Sequence, residues 1–288
     1  MAAIGITGAT GGIGGRVARQ LADQGVEQRL LVRDRSRAPE LAGAEIVEFG
    51  GYADGEGMSR VLEGVETLLL VSAGESARRV EEHGAAIDAA VAAGVGRIVY
   101  ISFLSAAPDA TFTFARDHFH AEEHIKSTGL SWTFLRDSIY LDYIPLFAGD
   151  DGVIRGPAGD GRIAPVARDD VGEVAAAVLM SGGEHDGQAY PVTGPEAFTL
   201  ADAAETLSRV AGRDVRYVEE TLEEARESRA PSGAPDWEIE GWVTSYAQIA
   251  TGEVDVVSDT VERLAGHPPL TLEEFLRRHP DSWQHLTH

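Results

Sequence analysis

Seven consecutive residues near the N-terminus, Gly8-Ala9-Thr10-Gly11-Gly12-Ile13-Gly14, have the types and spacing of an anion cradle. Glycine has no Cβ, so such a turn is tight and its backbone N–H groups approach a phosphate closely. If a helix opens at Gly12, its positive end faces the bound charge, and Gly14 lets that helix pack against the preceding strand. The chemistry this implies is binding of a dinucleotide pyrophosphate by Gly8, Thr10, Gly11, Gly12, Ile13 and Gly14. An ordinary glycine-rich turn is the alternative, and the strand-like run before it and helix-like run after it argue against that.

A second set of residues bears on which dinucleotide. The run Leu30-Leu31-Val32-Arg33-Asp34-Arg35-Ser36-Arg37 ends a strand. An acid at that point holds a ribose 2′-hydroxyl, whereas arginine meets a 2′-phosphate through its forked donors. Arg33 stands where the acid belongs, and Arg37 is near enough to form the other side of a clamp. NADPH is therefore expected over NADH, with Asp34 as ribose ligand the competing reading if the strand ends one residue later.

Candidates for the chemical step are sparse. None of the seven tyrosines has lysine four residues on, and Lys126 is the only lysine in the chain. The usual arrangement, a tyrosine acid with a lysine lowering its pKa, protonates the alkoxide formed from a carbonyl, so a plain ketone reductase is disfavoured. A quinone or triarylmethyl cation spreads the incoming charge over its own π-system and needs positioning more than an acid. His118 and Glu122 lie four residues apart on one face of a helix, either as site residues or as a structural pair. Tyr140 and Tyr143 have the shape to stack on a flat substrate, and core packing explains them equally well. His120-Ala121-Glu122-Glu123-His124 satisfies an inverted zinc-protease signature, but short strings of common residues arise by chance and no third ligand supports it. No metal is expected, and there is no G-x-S-x-G nucleophile turn.

The elements that must position these residues follow from periodicity. Strands are expected at Ala3–Thr7, Gln28–Val32, Glu45–Phe49, Thr67–Ser72, Arg97–Ser102 and Ser131–Arg136, several of them continuously apolar as strands buried on both faces are. Helices are expected at Gly12–Gln24, Gly55–Leu62, Ser76–Ala93 and Phe112–Ser127. The alternation predicts an α/β fold, a Rossmann-type doubly wound parallel sheet. Residues 1–148 form its dinucleotide-binding core, and residues 149–288 a smaller helix-rich substrate-binding part with some segments returning to the sheet. Within that part, Gly149–Gly161 reads as a hairpin or loop. A helix is expected at Asp170–Met180, a strand at Ala189–Val192, and further helices near Leu200–Val210, Trp237–Thr251 and Leu272–Arg278. The stretch Ser228–Asp236, with two prolines and a glycine, is expected to be mobile.

Composition narrows the function classes. Among 288 residues, 24 Lys plus Arg face 47 Asp plus Glu, a formal charge of −23, and there is no cysteine. Disulfides and thiolate chemistry are excluded, and a chain this acidic repels nucleic acid. No apolar run is long enough to span a bilayer, so a cytoplasmic protein with no membrane partner is expected. A homodimer is compatible with the sequence.

The glycine turn with Val32-Arg33-Asp34, together with His118–Gly129 and Trp132–Asp137, resembles the NmrA-like branch of the atypical short-chain dehydrogenases/reductases. Within that branch it is similar to the NAD(P)H:quinone oxidoreductases and triphenylmethane reductases. Val257–Leu264 and Leu272–Leu276 extend the likeness over nearly the whole chain. The resemblance implies that Ser72, Ala73 and Gly74 line the cofactor groove and that Ser102, Phe103 and Leu104 lie near the nicotinamide. It also implies that His118 hydrogen-bonds the nicotinamide end or the substrate, with Glu122 fixing its tautomer. Two departures are Gly51, where relatives often carry aspartate, and Asp137, where proline is common. The implied function is NADPH-dependent hydride transfer to a planar aromatic or quinone-like small molecule, bound beyond the strand ends beside the helical C-terminal part. A non-catalytic NADP(H) sensor and a natural-product reductase or isomerase share the same features.

Overall fold

The computed structural model describes residues 4–287. In chain order the elements are β1 (Ile4–Thr7), α1 (Gly12–Asp23), β2 (Gln28–Val32), β3 (Ala44–Glu48), α2 (Gly55–Leu62), β4 (Thr67–Val71), α3 (Arg79–Ala92), β5 (Arg97–Phe103), α4 (Thr113–Thr128), β6 (Ser131–Asp137) and α5 (Ile144–Phe147). There follow β7 (Val153–Gly156), β8 (Arg162–Ile163), α6 (Arg168–Met180), β9 (Gln188–Val192), β10 (Phe198–Thr199), α7 (Leu200–Ala211), β11 (Arg216–Glu219), α8 (Leu222–Arg229), α9 (Asp236–Thr251), α10 (Thr260–Ala265) and α11 (Leu272–Arg278). Ala3, where the sequence reading starts the first strand, lies outside the described residues.

Among the described residues, seven strands form one sheet in the order β3-β2-β1-β4-β5-β6-β9. The pairs β1–β2, β2–β3, β1–β4 and β4–β5 are all parallel. This is the doubly wound α/β arrangement, and its order reverses between β1 and β4, where such sheets open a ligand crevice at their carboxyl ends. Leu30, Leu68, Leu69, Leu70, Ile98, Val99 and Tyr100 are fully buried, so helices cover both faces of the central strands. In α1, Ile13, Val17, Ala18 and Leu21 repeat at helical spacing and are buried. Helix α6 packs tightly on α1: a Cβ at Gly172 would stand 2.9 Å from the Cβ of Arg16, while the Arg16 guanidinium pairs with Asp169.

The chain forms two compact units. One comprises Met1–Ala106, Asp117–Arg136 and Arg168–Tyr190, and holds most of the large sheet. The other comprises Ala107–Arg116, Asp137–Ala167 and Pro191–His288. In the second unit the Gly149–Gly161 stretch opens with a tight turn closed by an antiparallel bridge between Ala148 and Ile154, and its strand residues pair further along the chain. Strand β7 pairs in parallel with β11, and β8 pairs antiparallel with β10. The sequence reading has neither β11 nor α8, because Arg216–Glu219 is mostly exposed and α8 buries only Ala225, leaving no apolar stripe to detect. The signal present was the capping box, in which Thr221 and Glu224 satisfy each other's backbone N–H groups. Ser228 and Arg229 accordingly end α8 instead of opening a free loop. Arg229 donates to the Arg155 carbonyl at 2.9 Å and pairs with Glu220 at 3.0 Å. Among the described residues no helix is long and apolar enough to cross a membrane.

Candidate functional site

The carboxyl ends of β1 to β4 converge on a cavity of about 270 Å³. Gly8 and Thr10 enter it from the loop after β1, Arg33 from the end of β2, Gly50, Gly51 and Tyr52 from after β3, and Ser72, Ala73 and Gly74 from after β4. The turn itself has the expected construction. Gly8 has φ +65°, the left-handed region, and the Gly11 N–H donates to its carbonyl at 2.8 Å. A Cβ on Gly14 would stand 2.5 Å from the Gly8 oxygen and 2.6 Å from that of Thr7, so only glycine lets α1 begin this close to the turn. Gly11, Gly12 and Ile13 carry the chain into α1, whose first turn has no side-chain cap, leaving its N–H groups for an anion.

Arg33 is exposed and faces the cavity, as expected of a group that awaits a phosphate. Gly51 has φ +95°, a backbone conformation that residues with a side chain rarely adopt, which suits glycine at this point of the cavity wall. Arg37 is exposed on a short 3₁₀ turn, Arg35–Arg37, and is not among the residues that line the cavity. Asp34 caps that turn, its Oδ1 accepting from the Ser36 N–H at 2.9 Å and from the Ser36 hydroxyl at 2.7 Å.

The catalytic candidates sit in prepared surroundings. His118 is 6 % exposed, and both its ring nitrogens meet protein partners: Arg79 Nη2 lies 3.1 Å from Nε2 and Tyr100 Oη 3.0 Å from Nδ1. Glu122 does not fix the tautomer of His118. Fully buried, it accepts from the Ser102 hydroxyl at 2.6 Å and from Arg136 Nε at 2.8 Å, with a second Arg136 bond completing a fork. Tyr100 and Ser102 share one face of β5, so two steps of that strand receive the two side chains of α4 separately. Phe103 packs its ring 6.1 Å from that of His118, and Leu104 is half-buried beyond the strand end. In the second unit Tyr140 donates to the buried Asp137, which gives the unusual aspartate a partner, while Tyr143 is exposed. His124 of the H-x-x-E-H string pairs with Asp88 at 2.8 Å, and Glu123 with Lys126 at 2.8 Å.

Residues 8–181 match a family described as NAD(P)H-binding. The chain belongs to that family. It is 31 % identical over 278 residues to an NAD(P)H azoreductase of Xenophilus azovorans, covering 95 % of this chain and 96 % of the relative. It is 34 % identical over 279 residues to quinone oxidoreductase 2 of Escherichia coli, covering 94 % and 96 %. The crystal structure of the Escherichia coli NADPH-dependent quinone oxidoreductase QOR2 with NADPH superposes with a TM-score of 0.86 at 32 % identity, covering 96 % of this chain and 99 % of that one. The resemblance seen in the sequence is thereby shown, and the glycine turn, the uncapped α1 and Arg33 fit an NADPH cofactor.

Several residues of this NAD(P)H-binding chain have positions that sequence spacing alone does not disclose. Thr7, fully buried, accepts from the Val71 N–H at 2.9 Å and donates to the Leu69 carbonyl at 3.2 Å, stapling β1 to β4 at the point where the sheet order reverses. Tyr52 donates to Thr7 Oγ1 at 2.7 Å and so braces the cavity wall. Burial raises its hydroxyl pKa, keeping it a neutral donor. Arg168 lies across the start of α1: a Cβ on Gly12 would be 3.0 Å from its Cδ and 3.2 Å from its Nε. Arg79 and His83 of α3 reach the backbone of Ala73. The signal for the α3 pair was its four-residue spacing on one helix face.

Proposed function

We propose that the protein is an NADPH-dependent oxidoreductase that passes hydride to a planar conjugated acceptor such as a quinone. The observation that carries this reading is the convergence of the glycine turn and Arg33 on one cavity at the switch point of the sheet. Bound NADPH supplies the hydride. The chain supplies backbone N–H groups and the positive end of α1 for the pyrophosphate, and a guanidinium fork for the 2′-phosphate. The names of the azoreductase and quinone oxidoreductase relatives support an aromatic acceptor of the same class.

The side chains give no acid of the usual kind, which supports an acceptor that needs none. Lys126 pairs with Glu123 and sits 5.6 Å over the Trp132 and Phe134 rings, outside the cavity lining. Steady-state NADPH oxidation over a panel of quinones and azo dyes, with NADH in parallel, tests the proposal. Turnover that favours NADPH and depends on the quinone is expected. Tight NADPH binding with no acceptor reduced across the panel would reject it.

A further inference from the structure

We propose that Arg79 and His83 of α3 hold the loop after β4 against the cofactor groove, and that His118 is a positioning residue acting on that loop through Arg79. This rests on reading the groove as an NADP(H) site. Ala73 stands in the middle of the cavity-lining segment Ser72–Gly74. Its N–H donates to His83 Nε2 at 2.9 Å and its carbonyl accepts from Arg79 Nε at 2.9 Å, so one helix face takes both polar groups of a single peptide residue.

Proton bookkeeping then fixes the network. A guanidinium only donates, so His118 Nε2, 3.1 Å from Arg79, is the acceptor, and its proton is on Nδ1, directed at Tyr100 Oη. By the same logic His83, which accepts from Ala73 at Nε2, carries its proton on Nδ1. Arg79, His83, His118 and Tyr100 are each at most 6 % exposed, and Asp117 lies 3.6 Å from Arg79 as its counter-charge. Burial and the Arg79 charge both disfavour protonated histidine here, which matches the two neutral rings. A residue with both nitrogens engaged in this way offers a cofactor or acceptor nothing without surrendering a buried bond to Arg79 or Tyr100.

The test separates positioning from chemistry. His118→Leu removes the acceptor for Arg79, and His118→Gln returns one. In His118→Leu, hydrogen–deuterium exchange of the peptide spanning residues 72–74 should rise in the cofactor-free protein. NADPH dissociation constants, titrated without acceptor, should weaken about tenfold, the order expected for a charge-assisted hydrogen bond. At saturating NADPH kcat should change far less, His118→Gln should recover most of the affinity, and His118→Leu should add little in an Arg79→Lys background. Unchanged exchange at 72–74, or a loss confined to kcat with NADPH affinity intact, would overturn the proposal. If His118→Leu does not fold, Arg79→Lys carries the same exchange and affinity comparison. Wild-type protein that fails to bind NADPH would defeat the reading of the groove, while the exchange measurement would still decide the clamp.

Discussion

Replacing Arg33 with alanine is expected to weaken NADPH binding by about 10- to 100-fold while changing NADH binding by less than about threefold, the scale of one or two charge-assisted hydrogen bonds to phosphate. Arg33 comes off the end of β2 into the cavity, while Asp34, the only acid at that strand end, does not line it and accepts both Ser36 bonds through Oδ1. Arg37 lies outside the lining, so Arg37→Ala should leave the NADPH-to-NADH ratio nearly unchanged. Paired titrations of both cofactors against wild-type protein and the two variants check this. Equal losses for NADPH and NADH in Arg33→Ala would remove the 2′-phosphate role.

The second large effect is a loss of stability in mild acid. Burial, reinforced by the Arg79 charge, pushes the His83 pKa down to about 3 and holds His118 well below the ordinary histidine value. Between about pH 6.5 and pH 3 the unfolded chain therefore binds a proton at His83 that the folded chain refuses, so stability is present above that window and is lost as pH falls through it. From pH 7 to pH 5 this amounts to about 2 kcal/mol for His83, with a loss of the same sign from His118. Urea unfolding midpoints across that range should drop steeply in the wild-type protein and less steeply in His83→Gln. Carboxylates titrate alike in both proteins, so the difference between the two slopes isolates the histidine. Parallel slopes would mean that His83 is accessible to protons in the folded state.

Much of the first unit was legible because its signals are local. Leu68-Leu69-Leu70 and Ile98-Val99-Tyr100 can be buried only between two layers, and the turn from Gly8 to Gly14 must bend where it does because Gly14 abuts the carbonyls of Thr7 and Gly8. What the sequence hides is partnership across long separations. His118 and Glu122 share a helix face, which spacing reveals, but Tyr100, Arg79, Ser102 and Arg136 claim them from other elements, and no pattern within α4 announces that. Strand β11 escapes notice for a related reason. It is short and mostly exposed, and pairs with β7 from far along the chain.

The central claim, that this groove holds NADPH as a hydride donor for a planar acceptor, is tested most directly by an anaerobic single turnover. Protein loaded with one equivalent of NADPH is mixed with a benzoquinone or naphthoquinone, and nicotinamide oxidation and hydroquinone formation are followed together. The expected result is rapid loss of NADPH matched one-to-one by hydroquinone, with the rate far above that of the same reagents without protein. NADPH that stays reduced while bound at the Arg33 site, with a quinone in excess, would contradict the account and leave a protein that binds the dinucleotide without spending it.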